Sequence, residues 1–297
     1  MKYKNLWFVL GEKRGRGGSA LLRGEQLAAI VTPLLKHYDV SVDICKGVQK
    51  PISSAVIVNK TALLDHGLDG LHTLRANGNR IFVDPVDGPM AVLDWKLADG
   101  VITSSIGQDG YFRQQFAHLP VVYVPHHADT RLTSFRCESE AWKCAYVGDP
   151  LNGMYLRELE QAGLLSIIDA TNRNGAWMTE LPQFSFHYAV RPPEKRAGLF
   201  KPFTKGAVAA ECNALILAER RDIEAVAHLG ENYPFLIDAE EGIQSAEAML
   251  RWAMCPEAES ARHAAALVME RLRQSTSAAC IREIFRKDLI ESGLLLN

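Results

Sequence analysis

Short apolar runs that alternate with helix-patterned segments constrain this chain more than any other feature. LWFVLG, DVSVDIC, SAVIVNK, RIFVDPVD, GVITSS and PVVYVPHHAD read as six strands. ALLRGEQLAAIVTPLLKHY, TALLDHGLDGLHTLRANG, AVLDWKLAD and IGQDGYFRQQFAHL fall among them with helical spacing. Strands joined by helices in this way predict an α/β domain with a parallel, doubly wound sheet. The near-continuous apolar character of the strands fits burial on both faces. In such sheets ligands meet the carboxyl ends of the strands. Gly15 to Ser19, Asp84 to Asp87, Ser104 with Ser105, and His126 with His127 are therefore expected along one rim.

A polar passage, TRLTSFRCESEAWK, interrupts the pattern, which then restarts with CAYVGD, LNGMYLRELEQAG, LLSIIDA, FSFHYAV, ALILAE, DIEAVAHLG and YPFLID. Two long helical segments finish the chain. A second α/β domain is predicted, with domains spanning 1–135 and 136–297. The full length of 297 residues is enough for two cores.

The bulk numbers narrow the function classes. A formal net charge of −2 gives no basic excess of the kind that general nucleic-acid binding uses, so the expectation is no nucleic-acid partner. The six cysteines, Cys45, Cys137, Cys144, Cys212, Cys255 and Cys280, form no C-x-x-C pair. They read as reduced thiols of a cytoplasmic protein rather than as zinc ligands or a disulfide framework. The apolar run Leu6 to Leu10 is too short for a signal peptide, and nothing later approaches a membrane span. Peripheral contact with the inner face of a membrane stays open.

Four stretches carry candidate chemistry. The loop GEKRGRGGSALLRGEQ joins a strand to a helix, where backbone N–H groups can approach an anion. It matches neither G-x-G-x-x-G nor the P-loop pattern, and a solvated basic loop explains it equally well. VDPVDG sets Asp84 and Asp87 just past a strand, as a general base would need or as a turn cap would. His126 and His127 end the first sheet. Adjacent residues on an extended backbone point in opposite directions, so they make poor joint metal ligands, and no metal is expected. In FHYAVRPPEKRAGLFKPFTKGA, Arg191 follows a strand, and Lys201 and Lys205 bracket a turn. Thr204 is placed there to cap the next helix. Guanidinium, ammonium and helix N–H groups together suit a phosphate or diphosphate. Asn213 is expected to supply a left-handed turn out of that helix into the next strand.

From that stretch onward, KGAVAAECNALILAERRD resembles the carboxyl-terminal donor domain of GT-B-type glycosyltransferases of the bacterial polysaccharide-biosynthesis group. Asn213 stands where those proteins carry a glycine, and LIL replaces their P-V-I. GGSALLRGEQLAAIV resembles the first loop and helix of the acceptor domain. LADGVITSSIGQDGYF and VVYVPHHAD resemble the passage before the linker, and CAYVGD the first strand and loop of the donor domain. The E-x7-E pattern of many retaining members would fall on Phe200 and Val208, so its glutamates are absent.

The resemblance implies two Rossmann-like domains facing a cleft and transfer of a sugar from a nucleotide-activated donor without a metal. It implies a UDP- or GDP-sugar as co-substrate, no cofactor, and a glycan, lipid-linked or other small acceptor. Arg191, Lys201, Thr204, Lys205 and Gly148 would bind the donor phosphates, and Gly17, Gly18, Ser19 and Arg23 the acceptor. Asp87, Asp84 and His127 are the candidates for the base. Two other readings stand beside this one: a GT-B-like sugar-nucleotide epimerase, and a catalytically silent scaffold that binds a glycan or a partner.

Overall fold

The computed structural model describes residues 2–15, 18–87, 94–137, 141–171, 174–192 and 200–297. The chain divides into two compact units. One comprises Met1–His126, Phe200–Pro202 and Ser277–Asn297, and the other His127–Leu199 and Phe203–Thr276. A single cut at 135/136 does not describe this division, because the C-terminal segment belongs to the first unit.

In the first unit the chain runs β1 (Asn5–Leu10), α1 (Gly18–Ala20), a π-helical segment Leu21–Gln26 and α2 (Leu27–Lys36). It continues with β2 (Ser41–Lys46), β3 (Ala55–Asn59), α3 (Lys60–Ala76) and β4 (Arg80–Asp84), then β5 (Gly100–Thr103), α4 (Ile106–Gln115) and β6 (Val121–Tyr123). The strands form one parallel sheet in the order β2-β1-β3-β4-β5-β6. The apolar strands serve two cores. Ala55 and Ile57 of β3 join Phe8, Phe82 and Ile102 on one face, while Val56 and Val58 join Val9, Ile81 and Val83 on the other. The first face is covered by α2 and by the returning C-terminus, whose Ile281, Phe285 and Leu289 are fully buried. The AVLDWKLAD segment expected as a helix holds only a 3-10 turn at Trp95–Leu97 among its described residues.

The second unit runs β7 (Cys144–Gly148), α5 (Leu156–Gln161), β8 (Ser166–Asp169), β9 (Phe186–Tyr188), α6 (Thr204–Glu211) and β10 (Leu215–Glu219). It ends with α7 (Ile223–Leu229), β11 (Leu236–Ile237), α8 (Ile243–Ala253) and α9 (Glu259–Ser275). Its sheet is parallel, in the order β11-β10-β9-β7-β8. Helix α6 lies close on its sheet because Ala207, Ala209 and Ala210 are buried small residues. Asn213 takes φ 58° and turns the chain into β10, as the sequence predicts.

The last element is α10 (Ala278–Ile284), followed by a π-helical segment Phe285–Glu291 in the first unit. Both sheets share one winding. The chain starts in the interior, steps to one side, then crosses back and proceeds the other way. Each therefore has a topological switch point, between β1 and β3 in the first unit and between β7 and β9 in the second, where ligands of open α/β sheets bind. All six cysteines are free thiols. No helix among the described residues is long and apolar enough to cross a membrane.

Candidate functional site

At the switch point of the second unit, β7 ends in Gly148, and the loop leaving β9 carries Arg191. The chain then enters α6, whose second residue is Lys205. Phe203 occupies the N-cap of α6, and no side chain caps the helix. The first N–H groups of a helix have no intrahelical acceptor, so this start leaves its donors to solvent or ligand. Thr204 is the first helical residue rather than the cap that the sequence predicts, because the turn enters the helix one residue earlier.

Lys205 is held inward. Its Nζ donates to the Val147 carbonyl and sits 3.8 Å above the centre of the Tyr146 ring. A side chain at 148 would collide with it: a Cβ on Gly148 would fall 2.6 Å from Nζ, and the backbone there has φ 141°, a region that favours glycine. Burial pushes the Lys205 ammonium down to about 7, the Arg191 guanidinium pushes it further the same way, and the Asp149 carboxylate opposes both. Arg191 is half-buried and, like Lys205, has no ion-pair partner among the described residues. Two basic groups lie near one another at an uncapped helix start, an arrangement that an anion would complete.

Three neighbours in this cluster escaped the sequence reading. Tyr146 is fully buried, and its hydroxyl donates to the Asp149 carbonyl at 2.6 Å. Burial raises its phenol well above the usual range. Asp149 itself caps the 3-10 turn Pro150–Asn152. His187, in the middle of β9, is buried with no hydrogen-bond partner on Nε2. Burial, with Lys205 adding to it, holds the imidazole down to about 3, so it is neutral. In the sequence all three read as strand or turn residues; an aromatic and a histidine two and one positions from strand ends are the only signal. Lys201, by contrast, groups with the first unit, beside Phe200, whose ring lies 5.1 Å from that of Tyr111.

In the first unit the residues expected to meet an acceptor or act as base are occupied internally. Arg23, in the π-helical segment, and Asp84, at the end of β4, form a fully buried ion pair, Nε to Oδ2 at 2.8 Å. Nη1 of Arg23 also donates to the carbonyls of Val124 at 3.0 Å and Pro125 at 3.2 Å. Burial pushes the Asp84 carboxyl up, against the pull of Arg23 and the Val86 N–H. Arg23 and Asp84 are thus a strut between the π-helical segment and two strand ends, and neither reaches solvent. Asp87 is half-buried and paired with Lys60, Nζ to Oδ1 at 2.5 Å. His127 is buried and opens the second unit rather than closing the first. Gly18 is exposed, with open space where a side chain would be, and the Ser19 carbonyl accepts from Asn59 Nδ2 at 3.2 Å. Gly17 lies outside the described residues.

The glycine-rich loop is also occupied. The N–H groups of Lys13 and Arg14 donate to Asp65 Oδ2 at 2.8 and 3.1 Å, so a carboxylate of α3 takes the place expected for a ligand anion. Among the described residues, no three His, Cys, Asp or Glu side chains gather as a metal site would need.

No family model matches the chain, and no curated protein matches it in sequence. Solved structures share its fold. An α-glucosyltransferase in complex with UDP and a 13-mer DNA containing a HMU base is 9% identical, with a TM-score of 0.56 over 96% of this chain and 99% of that one. A second α-glucosyltransferase complex, with UDP and a 13-mer DNA containing a central A:G mismatch, is 10% identical, with a TM-score of 0.54 over 96% and 99%. A glycosyltransferase from Rickettsia africae ESF-5 is 9% identical, with a TM-score of 0.53 over 97% and 100%. At these identities the likeness is one of fold: two parallel-sheet α/β units of the GT-B kind. The comparison overturns one expectation. Proteins of this fold have been solved with DNA, so a net charge of −2 does not exclude a nucleic-acid partner. Net charge averages the whole surface, whereas a duplex meets one face of it.

Proposed function

We propose that this chain is a glycosyltransferase that moves a sugar from a nucleotide-activated donor to a hydroxyl-bearing acceptor. The observation that carries the reading is the proximity of Arg191 and Lys205, with no ion-pair partner among the described residues, at the uncapped start of α6. The GT-B fold shared with solved glycosyltransferases supports it. In this reading the second unit takes the donor. When the bond from the anomeric carbon to the phosphate oxygen breaks, negative charge grows on the departing nucleotide. Arg191, Lys205 and the free N–H groups of α6 lie where they would stabilise that charge, and a preorganised electrostatic site of this kind is commonly the largest contribution to such catalysis. The first unit takes the acceptor.

For the base, Asp87 is preferred to Asp84 and His127 because it is half-buried where they are buried, although it must part from Lys60 to act. Asp87→Asn is expected to lower turnover by about 10² to 10⁴ while donor binding survives. Turnover and donor affinity measured on the same preparation check this, and unchanged turnover removes Asp87 from the mechanism.

Binding is tested by titrating UDP, GDP and their sugar conjugates calorimetrically. Transfer is then assayed on glycans, lipid-linked sugars and DNA containing a HMU base, the last because of the neighbours solved with DNA. Binding of one nucleotide series with release of free nucleotide on acceptor addition supports the reading. No binding of any nucleotide or nucleotide sugar refutes it in favour of the silent scaffold, and conversion of the sugar without any acceptor points to the epimerase.

A further inference from the structure

Lys205 is in an unusual position for a phosphate ligand. A cation meant for an anion normally stands in solvent, yet this one is folded back over an aromatic ring and a carbonyl. The ring belongs to Tyr146, which is fully buried and fixed by its hydroxyl's bond to the Asp149 carbonyl at 2.6 Å. Space for the ammonium exists because residue 148 has no side chain. An aromatic face attracts an ammonium, and a carbonyl accepts from either the charged or the neutral amine.

We propose that Tyr146 is a positioning residue for Lys205: its ring seats the amine at the end of β7, from which Lys205 takes up a proton when a diphosphate binds. The proposal rests on the donor reading above and adds to it a proton coupling. Among the described residues, the groups that face Lys205 are the Tyr146 ring and Asp149 from β7 and its loop, Arg191 from the loop after β9, and His187 from β9. Among these described groups Asp149 alone carries a carboxylate, which is engaged by the Leu151 N–H and the Asn152 amide. Arg191 disfavours a second cation beside it, and His187 is neutral, so the free site favours loss of the Lys205 proton. A diphosphate between the two basic groups reverses that balance, and the proton comes from solvent. The amine then leaves Val147 and meets the phosphate as an ammonium. Donor affinity therefore falls by up to about tenfold for each pH unit above the Lys205 midpoint.

Two measurements test this. In the ligand-free protein, the ¹³C-labelled ε-carbon of Lys205, assigned with Lys205→Met, is followed against pH by NMR. The expected midpoint is about 7. It is unchanged in Tyr146→Phe, which keeps the ring, and about one pH unit lower in Tyr146→Leu, which removes the cation-favouring face. A wild-type midpoint at the ordinary lysine value overturns the proposal without any variant. A midpoint that moves in Tyr146→Phe as far as in Tyr146→Leu assigns the effect to the hydroxyl and overturns the ring's role. Should Tyr146→Leu not fold, the wild type and Tyr146→Phe still decide.

In the second measurement, UDP and GDP are titrated near pH 8, where their phosphates are already ionised, in two buffers of different ionisation enthalpy. Uptake of close to one proton per nucleotide by the wild type, and none by Lys205→Met, supports the coupling; nucleotide binding without uptake overturns it. If neither nucleotide binds, the donor reading fails, and the titration of the free protein alone decides whether Tyr146 seats the lysine.

Discussion

The two sheets wind alike, yet their switch points treat charge in opposite ways. In the first unit three charges near the strand ends are met within the unit: Arg23 meets Asp84, Lys60 meets Asp87, and Asp65 receives the glycine-rich loop. The helix that leaves this switch point is also closed, because Asn59 accepts from the Thr61 N–H at 3.0 Å and caps α3. In the second unit Arg191 and Lys205 lack an ion-pair partner among the described residues, and α6 has no side-chain cap. The same winding thus gives one end that is electrostatically complete and one that an anion would complete. In the proposed reading the incomplete end is the one that takes a phosphate.

The largest expected effect breaks the complete end. Arg23→Ala leaves a carboxylate fully buried without its counter-charge, which typically costs about 3–5 kcal/mol. The chain has two units, so global two-state analysis does not apply. Hydrogen exchange read on the β4 peptide Arg80–Asp84 is the appropriate measure, and faster exchange there with the second unit unaffected is expected. Replacing the whole pair, as Arg23→Met with Asp84→Leu, should recover most of the loss. If Arg23→Ala leaves protection of β4 unchanged, the pair is not the strut described.

Next in size is the incomplete end. Arg191→Ala and Lys205→Ala each remove a charge-assisted contact worth about 1.5–3 kcal/mol, or about ten- to a hundredfold in nucleotide affinity. Arg191→Ala should leave the stability of the free protein unchanged, since Arg191 has no ion-pair partner among the described residues, whereas Lys205→Ala also gives up the bond to the Val147 carbonyl and the face of the Tyr146 ring and should lower it slightly. Calorimetric affinity beside thermal stability separates the two effects. Wild-type affinity in either variant moves the phosphate site elsewhere.

Acid titration sharpens the contrast further. His187 titrates at about 3 in the folded chain against 6.5 for an ordinary histidine. Between these values the unfolded chain binds the extra proton, so stability is fully present above 6.5 and is lost as pH falls toward 3. By about pH 5 the loss is about 2 kcal/mol. His187→Leu should flatten the acid slope of exchange in β9 while leaving the first unit's slope untouched. An unchanged slope assigns acid sensitivity to other groups.

Which parts of this contrast were legible in the sequence follows from what periodicity records. Apolar runs mark the central strands of both sheets, because strands buried on two faces cannot hide their composition, whereas the edge strands β2 and β8 are partly exposed; Asn213 foretells its own left-handed turn. Arg191 and Lys205 stood out because cations beside a helix start are visible as text. Pairing is not visible in that way. Arg23 and Asp84 are 61 positions apart, so nothing local shows that they consume each other. Tyr146 and His187 look like ordinary strand residues until the sheet order sets β7 beside β9. Gly148 is visible as the residue that ends the apolar run CAYVG, but its reason, room for a lysine 57 residues later, exists only in the fold.

The smallest predicted effect concerns the two helix starts. Asn59→Ala removes a cap that satisfies a backbone N–H of α3, a change that costs about 0.5–2 kcal/mol. Thr204→Ala changes a residue inside the first turn of α6 whose hydroxyl caps nothing there, so its cost in stability should stay within about 0.5 kcal/mol. The difference should appear as faster exchange over the first turn of α3 in one variant and none over α6 in the other. Thr204→Ala should still weaken nucleotide binding by a few-fold if the hydroxyl adds one neutral hydrogen bond to a phosphate, worth about 0.5–1.5 kcal/mol. A Thr204→Ala chain that loses stability as Asn59→Ala does would mean that α6 is closed by its own side chain after all. The start of that helix would then have no reason to wait for an anion.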